Sequence, residues 1–189
     1  MLCVLRASSS LLAALLLAAC GREVDWSAPE NLLIYEKATD RDGFVELDYR
    51  SLIDAPCQRI YDALVDVEHY PAFIPGVDSV SMLERTERSK TVQIAQRVIG
   101  RQANAKVQWT FDPETRRIEF KTLTSDLTYN DGYYKFEDSP DGKRCLVKSL
   151  FIVKQGQGLS LGALGQATRE SFLTAARGVK KRATAPPNA

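Results

Sequence analysis

Histidine is almost missing from this chain: His69 is the one instance among 189 residues. Four cysteines and a single histidine, none grouped at ligand spacing, leave a zinc site without support, and neither a metal nor another cofactor is expected. Net charge is lacking as well. Lys+Arg number 25 and Asp+Glu 24, so no general electrostatic attraction draws this chain to nucleic acid. Long apolar runs are absent except near the start, where Leu11 to Ala19 is too short to cross a bilayer as a helix. No internal repeat is visible, and the length accommodates one domain with a core of its own. A monomer is expected.

What is present begins with a leader. Arg6 gives a slightly positive start, the apolar run follows, and small residues close the segment, the pattern of a secretory signal over residues 1–19. Leu17-Ala18-Ala19-Cys20 resembles the bacterial lipobox, which implies that Cys20 becomes the lipid-bearing first residue of the mature protein. Multiple acylation there implies stable attachment to a membrane. Gly21 follows instead of aspartate, and the same resemblance then favours the outer membrane, on the periplasmic side of a bacterial envelope. The alternative is an ordinary cleaved signal with an incidental cysteine. Residues 20–31 read as lipidated terminus and tether, 32–182 as the domain, and 183–189 as a disordered tail.

The most telling stretch runs from Asp54 to Val77. Asp54 is placed to cap a helix, and Pro56 suits its first turn, where a missing N–H costs nothing. Cys57, Ile60, Tyr61, Leu64 and Val67 repeat at helical spacing against Gln58, Arg59, Asp62 and Asp66. Pro71 drives Tyr70 from the helical region, which predicts a helix end near Glu68 and a second short helix after it. Pro75-Gly76 then turns the chain into a strand.

Strands dominate the remainder. Asp42-Gly43 is a turn signal before a strand from Phe44 to Ile53, with an earlier segment, Leu32 to Lys37, as a candidate partner. Strands are predicted over 77–83 and 91–100. The clearest alternation follows: Ala103, Ala105, Val107, Trp109 and Phe111 face one way and their polar neighbours the other. Further strands are predicted around Ile118 to Thr122, Tyr129 to Glu137 and Arg144 to Lys154. A long helix over about 160–182 closes the domain, with Leu161, Leu164, Thr168, Phe172, Ala175 and Val179 as its apolar stripe. Gly156, Gly158, Gly162 and Gly165 make a loose approach to it, read either as a segment that moves to admit a ligand or as a loose connection without function.

This order of strand, two short helices, further strands and closing helix resembles the START-like, or helix-grip (SRPBCC), proteins, in the branch with coenzyme Q-binding Coq10 proteins and polyketide cyclases. The resemblance covers about Val45 to Arg182. It implies an α+β helix-grip fold: a curved antiparallel sheet of about seven strands wrapped around the C-terminal helix, with two short helices between the first and second strands. It also implies a hollow between sheet and helix for an apolar small molecule. Tyr49, Phe73, Val107, Trp109, Phe120, Tyr134 and Phe151 are then the candidate walls, with Leu164 and Phe172 as lid. Alternation alone does not distinguish a wall from a filled core. In that topology the first and last strands are neighbours, which brings Cys57 and Cys145 to one end. A disulfide and two separately packed thiols are both open there.

Catalytic signals are weak. His69 sits at a polar rim, Asp62, Asp66 and Glu68 follow a wet helix face, and turn chemistry accounts for Asp126, Tyr129 and Asp131. Arg97 and Arg101 flank Gly100 at a hairpin, where one is placed to guard a pocket mouth. No catalytic residue is assigned. The leading expectation is an envelope lipoprotein binding a lipid or isoprenoid quinone-like molecule. The alternatives are a cyclase- or aromatase-like enzyme and a protein-interaction module with a collapsed cavity.

Overall fold

The structure is a computed structural model, and it describes residues 24–41, 43–98, 100–154 and 160–186. The leader over 1–19, Cys20, the first part of the tether, Asp42, Gly156 and Gly158 lie outside the described residues, as does the end of the tail.

Eight strands form one antiparallel sheet: β1 (Asn31–Arg41), β2 (Phe44–Ile53), β3 (Val77–Arg85), β4 (Ser89–Val98), β5 (Arg101–Asp112), β6 (Arg117–Ser125), β7 (Tyr129–Asp138) and β8 (Cys145–Lys154). Their spatial order is β1-β2-β8-β7-β6-β5-β4-β3, so the chain's last strand inserts beside its second. Between β2 and β3 lie α1 (Cys57–Val65), a 3₁₀ turn (Val67–His69) and α2 (Tyr70–Phe73); α3 (Leu161–Thr184) closes the domain. The architecture is the α+β helix grip. The extra strand is β1: Leu32 to Lys37 belongs to an edge strand that pairs with β2 at Asn31 and, after an irregularity, from Tyr35 to Arg41, and the short helices accordingly follow the second strand.

Periodicity explains the layers. In β5, Ala103, Ala105, Val107, Trp109 and Phe111 are all buried, and β2 and β8 bury Val45, Leu47, Tyr49, Val147, Phe151 and Val153 on the same concave side. α1 buries Cys57, Ile60, Tyr61 and Leu64 at helical spacing.

Four local expectations are corrected. Asp54 does not cap α1, whose N-cap is Pro56 without a side-chain bond; the Asp54 carboxylate instead accepts from Arg144 Nε at 2.5 Å. α1 ends at Val65, because Asp66 leaves helical geometry at ψ 51°. Tyr70 keeps helical angles (φ −49°, ψ −39°) despite Pro71, since a proline in a helix's first turn removes no bond. At the far end, α3 continues through Thr184 with Ala183 buried, so residues 183 and 184 belong to the closing helix.

Register brings Ile53 and Asp138 to either side of Cys145. There Cys57 and Cys145 form a disulfide across 88 residues, with both residues fully buried and Cα atoms 4.8 Å apart. Closing so long a loop contributes on the order of 4 kcal/mol in the chain-entropy account.

Candidate ligand cavity

The concave face of the sheet is not filled. A cavity of about 650 Å³ lies between β4–β8, α2 and α3. Its inner wall is a run of rings: Trp109 lies 5.3 Å from Phe120, Phe120 5.6 Å from Phe151, and Phe151 5.7 Å from Phe172. Tyr70 meets Trp109 edge-on at 5.9 Å, and Tyr134 packs against both Phe120 and Phe151. Besides Phe172, α3 lines the space with the small residues Ala163, Ala167, Thr174 and Ala175, which leave room beside it. The rim is formed by Gly76, Gln96, Arg97 and Gly100 on one side and Gln166 and Glu170 on the other.

Six of the nine candidate residues line this cavity: Val107, Trp109, Phe120, Tyr134, Phe151 and Phe172. Three do not. Tyr49 is wholly buried, 4.7 Å from Phe172 and 5.8 Å from Phe151, and supports the wall from behind. Leu164 is 1% exposed and lies within the packed core. Phe73 packs edge-on to Tyr70 at 5.6 Å, outside the cavity.

Local chemistry opens the sheet at this place. β6 and β7 pair at only three positions, ending with Phe120 opposite Gly132. Beyond them side chains replace the ladder: Thr122 Oγ1 donates to the Asn130 carbonyl at 2.7 Å, and Thr122 N donates to Asp131 Oδ1 at 3.0 Å. Gly132 is required, because a Cβ there would sit 2.0 Å from the Leu150 carbonyl oxygen and 2.7 Å from the Phe120 ring. Asp126 braces the rim by accepting from Asn104 N and Nδ2, and those bonds hold its carboxyl below the usual range.

The deep wall is neutral. Arg97 and Glu170 are the charged side chains among the lining residues, and both are exposed at the rim. Burial raises the Tyr134 and Tyr70 phenols above their ordinary value, and Tyr70 Oη donates to the Leu64 carbonyl at 2.5 Å. Both stay protonated at neutral pH. His69 lies away from the cavity, its side chain 68% exposed and its Nδ1 2.6 Å from Asp66 Oδ1. Arg97 reaches the rim while Arg101 does not. Among the described residues no cluster suits a metal ion, and no helix is long and apolar enough to cross a membrane.

Asn130 and Gly132 are missed by the sequence reading, although a signal existed: once Tyr134 faces inward, period two carries Gly132 and Asn130 inward with it. Gly178 is missed too. Its would-be Cβ falls 2.1 Å from the Phe73 carbonyl oxygen, so α3 lies directly on the backbone of α2.

Known proteins resemble this chain in sequence or in fold. Over 90 residues the chain is 32% identical to the actinorhodin polyketide synthase bifunctional cyclase/dehydratase of Streptomyces coelicolor, a match spanning 47% of this chain and 28% of that protein. The Zhui aromatase/cyclase of Streptomyces sp. R1128 superposes with a TM-score of 0.67 at 18% identity, covering 74% of this chain and 93% of its own. A START superfamily protein from Mycobacterium smegmatis gives 0.64 at 13% identity, covering 72% and 95%. Both structural likenesses concern the fold. The model of the polyketide cyclase/dehydrase and lipid transport family matches residues 53–177, well over half of the chain, and the protein belongs to that family.

Proposed function

We propose that this domain is a binding module for a hydrophobic small molecule, a lipid or isoprenoid quinone-like compound, held between sheet and α3. The observation that carries the reading is the aromatic cavity of about 650 Å³ with no charged side chain on its deep wall. That volume falls within the range of small-molecule sites, roughly 300–1,000 Å³. Burying ten methylenes contributes about 8 kcal/mol, enough for micromolar affinity without an ionic contact.

The second reading is a cyclase- or aromatase-like enzyme, in which the walls fold a reactive chain and positioning does most of the work. The similarity to the Streptomyces cyclase/dehydratase favours it. Against it, no histidine or carboxylate lines the deep wall, and the two phenols there are held protonated.

For location we propose a lipid-anchored protein of the bacterial envelope, acylated at Cys20. The leader pattern and Leu17-Ala18-Ala19-Cys20 support this. The buried Cys57–Cys145 bond accords with an oxidising compartment. Palmitate label lost in Cys20→Ser is the expected result, and label retained in that variant rejects the anchor. Native mass spectrometry of the purified protein, followed by lipid extraction, tests the binding reading. A co-purifying apolar molecule is expected; turnover of a polyketide-like chain by an otherwise empty protein favours the enzyme instead.

A further inference from the structure

The segment leading into β1 lies on the domain from Val24 onward. Val24, Trp26, Ala28 and Glu30 are half-buried while Asp25, Ser27 and Pro29 between them are exposed, so one side of this stretch faces the protein. Arg144 holds it there: Nη1 donates to the carbonyls of Trp26 and Ala28, and Nε donates to the Asp54 carboxylate. Glu30 adds two ties, accepting from the Asp54 N–H at 3.0 Å and pairing with Lys180. The Arg144 side chain is 17% exposed, so its charge-assisted bonds are made largely out of water and hold better than surface ones. All these partners sit where β2 stops, β8 begins and Cys57 meets Cys145.

The cavity mouth is at the other end. Thr128, which lines the cavity, donates to the carbonyl of Lys154, the last residue of β8. β8 has ten residues, so about 30 Å separates that point from the Arg144 clasp. β5 runs the same course: Gly100 lines the mouth beside Arg101, whereas the turn after Asp112 reaches the disulfide end through the Arg116–Asp138 pair. Three residues, Gly21 to Glu23, lie between Cys20 and Val24. Fully extended, that stretch of chain spans at most about 14 Å. A domain standing mouth-down would hold Val24 about 30 Å off the bilayer, beyond that reach. Charge does not decide the matter, because exposed Lys143 and Lys181 at the clasped end are offset by exposed Asp25 and Asp141. The short tether does. Resting on the proposal that Cys20 is acylated, we infer that the Arg144 end is the surface this protein presents to its anchoring bilayer. The cavity then opens away from that bilayer, and a guest enters from the aqueous side.

Energy transfer tests it. The acylated chain, purified from a bacterial membrane, is reconstituted in phosphatidylcholine vesicles that carry a headgroup-labelled rhodamine lipid as acceptor. A donor dye is placed at Lys143→Cys or at Arg101→Cys, both exposed and outside the cavity lining; Cys57 and Cys145 are bonded to each other and do not compete for it. Transfer is read on the fraction that floats with the vesicles. Transfer from position 143 is expected to exceed that from 101 about fivefold or more, because it falls steeply with distance and the two sites differ in height by about 30 Å. Inserting about twenty Gly and Ser residues after Glu23 should bring the ratio near one, since the longer chain lets either end approach. Equal transfer without the insertion, as from a domain lying flat, or stronger transfer from 101 overturns the inference while the anchor stands. So does a ratio unmoved by the insertion, which would assign the orientation to surface contacts instead of the tether. A chain that does not float with the vesicles overturns the acylation, and this inference with it.

Discussion

The two ends of this molecule are built on opposite principles. At the end where β2 stops and β8 begins, the chain is fastened repeatedly. Cys57–Cys145 ties α1 to β8, and Arg144 donates to the carbonyls of Trp26 and Ala28 and to the Asp54 carboxylate. Lys180 pairs with Glu30, Arg182 with Asp66, and Glu68 takes both Lys90 and Arg85. Residues 24–31 are therefore held against the domain, and Asn31 already pairs with Leu52. At the other end the fastenings thin out. Gly43, Gly76 and Gly100 turn the chain at positive φ, and the cavity rim lies among the last two and the first turns of α3. Gly162 and Gly165 there have nothing within 4 Å of a would-be Cβ. Stability is concentrated at one pole, which leaves the other able to expose an apolar hollow.

That division is breakable. Cys57→Ser with Cys145→Ser should remove about 4 kcal/mol, a fall in Tm of roughly 8–16 °C by scanning calorimetry, with ligand affinity at the far pole little changed. A comparable loss of affinity would show that the poles are not independent. Gly178→Ala pushes a methyl into the Phe73 carbonyl and should cost about 2 kcal/mol in chemical denaturation, while shifting Tyr70 and hence the inner wall. Gly100→Ala at φ +70° should cost only about 1 kcal/mol, but its effect should appear in ligand on- and off-rates measured by stopped flow.

The smallest effect is one of pH. The Lys90 ammonium, hydrogen-bonded to Glu68, and then Arg85 hold the Glu68 carboxyl below its ordinary value of 4.5. A carboxyl lowered in the folded state stabilises fully above the unfolded value and loses that contribution as pH falls through the folded one. Glu68→Gln should therefore flatten the stability curve below about pH 4.5 and lower the plateau above it by a few tenths of a kcal/mol. An unchanged acid limb would remove Glu68 from the fastened pole.

The fold was legible because burial follows period. The alternation in β5, the α1 stripe and the glycine turns each encode a local choice, and they agree with one another. The errors came where a side chain answers to a distant partner. Asp54 has the chemistry of a cap, yet Arg144, 90 residues on, claims it. β1 has weak alternation because it is an edge strand with little to bury, so its extent was hidden. The cavity walls were partly legible: six of the large inward residues reach it, but whether Leu164 or Ala167 of α3 faces the space depends on how the helix is rotated against the sheet. That rotation answers to contacts between distant segments, such as the close approach of Gly178 to the Phe73 backbone, and no local pattern reports them.

Ala167 offers the most direct measurement. It is 8% exposed on the helix side of the cavity, and Ala167→Phe would fill the hollow with little disturbance of the fastened pole. Titration of the neutral fluorescent probe N-phenyl-1-naphthylamine into both proteins should give micromolar binding to the parent. The variant should bind at least tenfold more weakly with Tm unchanged within a few degrees. Equal affinity in the two would place the apolar site elsewhere and contradict a ligand held between sheet and α3.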